Sequence, residues 1–172
     1  AYRADRSASP SPSTTRRENS SASGLWGNDQ EKSRAEAQGR GEFFRMKENE
    51  IGTIILEAAI HLYRELGPGL LESVYEVILT KELVSLGLDA QRQVPVAIRY
   101  KGITFDEGFR ADIVVEGKVL LELKSVERVM AAHKKQVLTY LRLTGIKLGY
   151  LLNFGEATMR DGITRMVNGL EE

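Results

Sequence analysis

Two carboxylates and one amine lie close together between residues 112 and 124. Asp112 is followed after nine residues by Glu122, and Lys124 comes two residues later. Two converging carboxylates suit a hard divalent cation such as Mg²⁺, which prefers oxygen ligands. A neighbouring lysine can orient or deprotonate the attacking water, or neutralise charge that builds on a phosphoryl group. The spacing therefore predicts a site for phosphodiester hydrolysis.

These groups can act together only if they project from one side of a sheet. Side chains alternate across a strand, so Glu122 and Lys124 share one face of the predicted strand, beside Leu120. A turn at 116–117 brings Asp112 close to Glu122, although one sequence does not fix the register. Read alone, Glu-x-Lys is a common string that a surface ion pair also explains. The surrounding order of elements favours the site.

The periodicity of apolar residues predicts those elements. Helical spacing indicates a first helix from residue 51 to residue 66, which the Gly-Pro-Gly of residues 67–69 stops, and a second from about 71 to 86. Alternation then predicts strands at 94–100, 109–115 and 119–123. A helix over 129–143, an apolar strand at 148–152 and a short strand at 163–167 follow. The predicted class is α/β, a mixed sheet in the order α-α-β-β-β-α-β(-β), and Pro95 indicates that its first strand is an edge.

Composition limits the function classes. The 172 residues hold 24 Lys plus Arg against 24 Asp plus Glu, so the net charge neither requires nor excludes a nucleic-acid partner. Without cysteine there are no disulfides, thiolate zinc sites or cysteine nucleophiles. No apolar run approaches the roughly 20 residues that span a bilayer, and no secretory signal is visible. We therefore expect a cytoplasmic protein. The Gly-rich phosphate loops and the nucleophile elbow of serine hydrolases are also absent.

The first 45 residues differ from the remainder. They are rich in Ser, Thr and Pro and poor in large apolar side chains, which predicts a disordered N-terminal extension over residues 1–45. The folded domain is expected over residues 47–172. Because Met46 directly precedes the regular pattern, the extension could lie upstream of the natural start. A weak nucleic-acid tether is the functional alternative for this segment.

Many short blocks resemble one protein family. Gly69-x-x-Glu72-x-x-Tyr75 is similar to the signature of the GxxExxY proteins, small bacterial proteins grouped with the PD-(D/E)xK nuclease superfamily. The likeness covers residues 48–168 and runs through further blocks in order: Gln93-Val-Pro-Val, Tyr100-Lys-Gly, Arg110-Ala-Asp112, Leu121-Glu-Leu-Lys124, His133-x-x-Gln136, Thr139-Tyr-Leu and Asn153-Phe-Gly.

The resemblance implies a restriction-endonuclease-like core with Asp112, Glu122 and Lys124 as its central triad. It also implies a further acid from the helix before the sheet, which Glu72 matches, and a polar residue from the helix after the third strand, which Gln136 matches. Asp112, Glu122 and Glu72 would then bind Mg²⁺ or Mn²⁺. Ala111 departs from the proline of the superfamily's name, at a position that does not bear the chemistry.

Several of these residues also have plain structural explanations. Glu72 suits the first turn of a helix, where a negative charge is favourable. Tyr75 is expected to pack in the core with its hydroxyl hydrogen-bonded. Gln136 shares a helix face with Tyr140, and either it or His133 could contact substrate or solvent. His61 is expected to be structural. Four cations are candidates for phosphate contacts: Arg128, Lys134, Lys135 and Lys147.

The resulting hypothesis is a metal-dependent nuclease acting on DNA or RNA, with a homodimer left open. Lys124 would activate water or stabilise the transition state, and Gln136 would position the lysine or the substrate. One alternative is a nucleic-acid-binding module with little turnover, and another is a scaffold or regulatory partner on the same fold. The second alternative predicts no metal affinity near Asp112.

Overall fold

The computed structural model describes residues 46–170, so the predicted N-terminal extension lies outside the described residues. The helices are α1 (Glu48–Leu66), α2 (Glu72–Ser85), α3 (Ala131–Thr144) and α4 (Met159–Gly162). The strands are β1 (Ala90–Tyr100), β2 (Ile103–Val115), β3 (Val119–Lys124), β4 (Leu148–Asn153) and β5 (Ile163–Val167). The predicted order of elements is confirmed. The addition is α4, which at four residues is too short to show a helical period.

The five strands form one mixed sheet in the order β1-β2-β3-β4-β5. Neighbours are antiparallel except β3 and β4, which run parallel and are joined through α3. The sheet therefore has β3 at its centre and β1 at an edge, where Pro95 removes no ladder hydrogen bond from a central strand. Every residue of β4 is buried, as expected of a strand covered on both faces.

Helices cover both faces of the sheet. On one face Ile55 of α1 and Leu79 of α2 pack in one cluster with strand residues that include Leu121 and Leu152. On the other face α3 packs on a smaller cluster that includes Val137, Leu120 and Leu151. This alternation places Glu122 and Lys124 on the α3 side, because they share the parity of Leu120.

The β1–β2 hairpin is longer than the alternation predicted, and it changes direction at Asp112. Ala111 packs in the cluster under α3, whereas Ile113 packs in the cluster under α1 and α2. In β1, opposite Asp112, the backbone of Gln93 has a φ of 52°, which residues other than glycine rarely adopt. The side chains of the hairpin therefore change faces of the sheet at Asp112.

Within residues 46–170 no helix combines the length and the apolarity that a membrane crossing requires.

The connection between α1 and α2 is pinned from inside the core. The ring of Tyr75 is fully buried and stacks on Phe154 at a centroid distance of 4.2 Å. Its hydroxyl donates to Gly67 O at 2.6 Å and accepts from Leu70 N at 3.2 Å. Gly69, with a φ of 104°, supplies the backbone conformation that this tight path needs. The predicted structural role of Tyr75 is confirmed.

We expect Tyr75→Phe to loosen this connection without dismantling the core, because the ring remains and only the hydroxyl is lost. The free energy of unfolding should fall by about 1–2 kcal/mol, the usual effect of leaving buried partners unpaired. Amide exchange at Leu70 should accelerate. Tyr63→Phe is a matched control, since it removes a bond of 2.6 Å to Glu156 O in a different place. Unchanged exchange at Leu70 in Tyr75→Phe would contradict the assignment.

Candidate active site

The centre of the site is an ion pair on β3. Lys124 Nζ lies 2.7 Å from Glu122 Oε1. The Glu122 side chain is only 2% exposed, and that of Lys124 is 15% exposed. A surface ion pair, which was the plain alternative for Glu-x-Lys, therefore does not describe this pair. The lysine side chain keeps some contact with solvent, whereas the glutamate side chain has almost none.

The second oxygen of Glu122 has no hydrogen-bond partner within the described part of the chain, although it is buried. A buried carboxylate oxygen without a donor is unfavourable, so such atoms call for an explanation. A bound cation would supply the missing positive partner. The chemistry of this atom and of the neighbouring carboxylate thus fits a hard divalent metal ion.

That neighbouring carboxylate is Asp112. The backbone pairing of β2 with β3 ends at Ile113 and Leu121, which puts Asp112 next in register opposite Glu122. Asp112 Oδ2 then accepts a hydrogen bond of 2.7 Å from Leu123 N. The side chain of Asp112 thus bonds to β3 where the backbone ladder has stopped, and this fixes the acid beside Glu122.

The three central groups influence one another's protonation. Burial and the charge of Asp112 together raise the pKa of Glu122 to about 7, against the opposing effect of Lys124. Burial likewise raises the pKa of Asp112, although the bond from Leu123 N opposes this. Burial would lower the pKa of Lys124, but its hydrogen bond with Glu122 and the nearby acids outweigh burial and raise it. Two crowded carboxylates beside a firmly protonated amine form a centre that favours added positive charge.

Glu72 approaches the centre without joining it. It is the first residue of α2, and its Oε1 accepts a hydrogen bond of 3.0 Å from Ser125 N, directly after Lys124. Its charge contributes to the raised pKa of Asp112, Glu122 and Lys124. Across residues 46–170 no group of three or more His, Asp or Glu side chains is arranged to hold a metal ion. The predicted third ligand therefore lies near the pair of acids and holds the β3 end in place.

Gln136 lies on α3 with Tyr140, as the helical spacing predicted. Gln136 Nε2 donates to Tyr140 Oη at 2.7 Å. Burial raises the pKa of Tyr140, and the charges of Glu122 and Asp112 add to this, so the phenol lies near both acids. Phe109 of β2 packs on the Tyr140 ring at a centroid distance of 5.3 Å. Gln136 thus reaches the centre through Tyr140.

The predicted histidines and cations are peripheral. His133 Nδ1 accepts from Met130 N at 3.3 Å and so helps to begin α3. His61 is an exposed neighbour of Glu65 at 3.6 Å rather than a residue of the core. The candidate phosphate contacts are all exposed: Arg128, Lys134, Lys135 and Lys147.

Two supporting residues were not among the predicted site residues. Asn153 is fully buried at the end of β4, and its amide bonds both Val126 N (3.0 Å) and Val126 O (2.8 Å), which anchors the chain just after Lys124. Glu76 is 6% exposed, bonds Arg92 Nε at 2.8 Å, and raises the pKa of Asp112 through its charge. A polar residue closing an apolar strand was the available signal for Asn153. Glu76 gave no such signal, because it lies on α2 and its partners Arg92 and Gln93 lie on β1.

Comparison with known proteins gives one match. A family model described as the PD-(D/E)XK nuclease superfamily matches residues 49–166, which is more than half of the chain. No curated protein and no solved structure matches. Nucleases of that superfamily generally use divalent metal ions.

The raised pKa of Glu122 predicts a pH dependence of stability. In the folded protein this carboxyl keeps its proton up to about pH 7, whereas 4.5 is its ordinary value. The folded state therefore binds more protons than the unfolded state between these values, and stability should fall as the pH rises through them. At about 1.4 kcal/mol for each unit of difference, the loss is on the order of 3 kcal/mol.

Urea unfolding of wild type and Glu122→Gln from pH 4.5 to pH 8, in chelator, measures this effect. Because both proteins share every titrating group outside this centre, the difference between the two profiles reports Glu122 together with its effect on Asp112 and Lys124. The wild-type free energy of unfolding should decline relative to the variant as the pH rises toward 7 and then run parallel to it. Profiles that stay parallel throughout would contradict the burial of an ionisable carboxyl here.

Proposed function

Because the chain belongs to the PD-(D/E)XK nuclease superfamily, we propose that it hydrolyses phosphodiester bonds of DNA or RNA at Asp112, Glu122 and Lys124. The single observation that supports this most is the buried Glu122 Oε2, which has no hydrogen-bond partner among the described residues. A protein that used Glu122 only for its ion pair would need one oxygen and would gain from satisfying the other.

Mg²⁺ or Mn²⁺ is the proposed cofactor, held by Asp112 and Glu122 with Glu72 in support. When bound, such an ion lowers the pKa of water and offsets negative charge on a phosphoryl group. Lys124 is the cation of this centre, and its side chain is more exposed than that of Glu122. Its Nζ donates to Glu122 Oε1, and a protonated amine in that place can also donate to a phosphoryl oxygen as charge develops there.

Gln136 is proposed as a positioning residue. Its amide holds the hydroxyl of Tyr140, and Tyr140 lies close enough to the two acids for their charges to raise its pKa. The amide therefore orders the wall of the site that α3 provides. Asn153 has a comparable role on the other side, because it anchors the chain that follows Lys124.

Within the superfamily we propose that the chain is one of the GxxExxY proteins. The three residues of that signature support this, because each has a distinct role near the site. Gly69 permits the turn before α2, Glu72 bonds Ser125 N, and Tyr75 pins the turn from the core.

An assay over single- and double-stranded DNA and RNA, in Mg²⁺ and in Mn²⁺, tests the activity. Wild type should cleave at least one substrate, and chelator should abolish cleavage. Lys124→Ala and Glu122→Gln should each lower the rate at least about 100-fold, as removal of a preorganised transition-state group does. Lys81→Ala removes an exposed cation of α2 outside the site and should leave the rate unchanged. Activity that survives both site substitutions would assign it elsewhere, and binding without cleavage would favour the alternative of a binding module.

Metal binding can be measured without turnover. Mn²⁺ or Mg²⁺ should raise the melting temperature of the wild type, with a stabilisation of about 2.7 kcal/mol when the ion is at 100 times its Kd. Asp112→Asn should lose most of this increase, because one of the two proposed ligands becomes neutral. Glu65→Gln, on the exposed side of α1, is the matched control and should respond like wild type. An equal increase in Asp112→Asn would remove Asp112 from the metal site.

A further inference from the structure

An apolar ridge stands beside the site. It consists of Leu70, Leu71 and Val74, whose exposed fractions are 37%, 74% and 36%. All three belong to the connection between α1 and α2 or to the first turn of α2. Single exposed apolar residues are common, but neighbouring leucines exposed in a constrained segment indicate a contact surface.

The ridge is held firmly. Tyr75 Oη bonds both Gly67 and Leu70 from within the core, and the Tyr75 ring is fixed by its stack on Phe154. The leucines therefore remain exposed because the backbone beneath them is fastened, so they cannot fold back into the core without breaking these bonds.

The ridge is also joined directly to the catalytic strand. Ser125 Oγ donates to Leu70 O at 2.8 Å, and Ser125 N donates to Glu72 at 3.0 Å. Ser125 is the residue after Lys124. A phosphodiester held at Lys124 would therefore have its adjoining nucleotide near the end of β3, where Ser125 contacts the ridge.

A second apolar surface borders the same centre from β2. Phe109 is 43% exposed and packs on Tyr140, which lies near Glu122 and Asp112. Bases that are free of a duplex stack readily on exposed aromatic rings, and their apolar faces can also be buried against exposed leucine side chains. A regular duplex would instead offer its phosphates and groove edges to these side chains, because its bases are stacked internally.

We propose that the site selects single-stranded or locally unpaired nucleic acid, whose bases next to the cleaved phosphate pack on the ridge and on Phe109. This rests on the proposed nuclease function, and it names the substrate class that the function leaves open. Phosphate contacts alone would favour the duplex, which carries the higher charge density, so a preference for single strands has to come from these apolar side chains.

The test uses the full chain carrying Lys124→Ala, so that bound probes stay intact. Fluorescence anisotropy with a labelled 15-nucleotide DNA strand, and with the blunt duplex of the same sequence, should give a Kd at least about 10-fold lower for the single strand. Adding Leu71→Ser should weaken binding of the single strand about 10-fold and leave duplex binding unchanged. Serine is a favoured residue at the N-cap that Leu71 occupies, so the variant should fold.

Val84→Ser is the matched control, since Val84 is 53% exposed near the other end of the same helix. It should alter neither Kd by more than about twofold. Equal binding of duplex and single strand, equal effects of Leu71→Ser and Val84→Ser, or no binding of either probe would overturn the proposal.

Cleavage by the chain with Lys124 intact separates this proposal from the nuclease function. Cleavage of duplex DNA at a rate that Leu71→Ser does not alter would keep the nuclease and reject the unpaired substrate. A Leu71-dependent preference for the single strand without cleavage of any probe would reject the nuclease and keep the surface for unpaired bases.

Discussion

The structure depends on a carboxylate buried at the centre of a sheet. Glu122 is 2% exposed, and only one of its oxygens has a partner among the described residues, the Lys124 amine at 2.7 Å. Removing a charge from water is strongly unfavourable unless opposite charge compensates it. Burial of Glu122, with the charge of Asp112 beside it, raises the pKa of this carboxyl to about 7. The fold therefore maintains a centre that is short of positive charge, which is the electrostatic requirement for binding a cation.

Maintaining that centre shapes the sheet around it. The backbone pairing of β2 with β3 ends at Ile113, next to Asp112. The side chain of Asp112 then accepts the hydrogen bond from Leu123 N that a backbone carbonyl would otherwise accept. At the same residue the hairpin passes from one hydrophobic cluster to the other, because Ala111 packs under α3 and Ile113 packs under α1 and α2. Gln93, opposite Asp112 in β1, has a positive φ. Departures from regular strand geometry often occur at functional sites, where they re-aim a side chain. Here the departure turns Asp112 toward Glu122.

Periodicity predicted the order of elements, the edge position of β1 and the shared face of Glu122 and Lys124, because these follow from the alternation of side chains and from Pro95. The prediction made the β1–β2 hairpin shorter than it is. Residues near the tip of the hairpin do not alternate between buried and exposed positions, so their sequence carries no strand period. Periodicity could not predict contacts between segments that are distant in the sequence. Glu72 with Ser125, Asn153 with Val126 and Glu76 with Arg92 join residues whose spacing along the chain bears no period. The family resemblance singled out Glu72, but only the structure gives it a partner.

The residues that follow Lys124 join the candidate active site to the apolar ridge. Ser125 forms hydrogen bonds with Glu72 and Leu70, and Val126 forms two hydrogen bonds with the side chain of Asn153. The end of β3 is therefore held by α2 and its preceding loop on one side and by β4 on the other. The orientation of the Lys124 amine thus depends on the same backbone that holds the leucines of the ridge. A change that moved the ridge would also move the amine. In the proposed nuclease, selection of the nucleic acid and alignment of the attacked phosphate would therefore depend on the same backbone, and substitutions of the exposed side chains of the ridge would alter the first without the second.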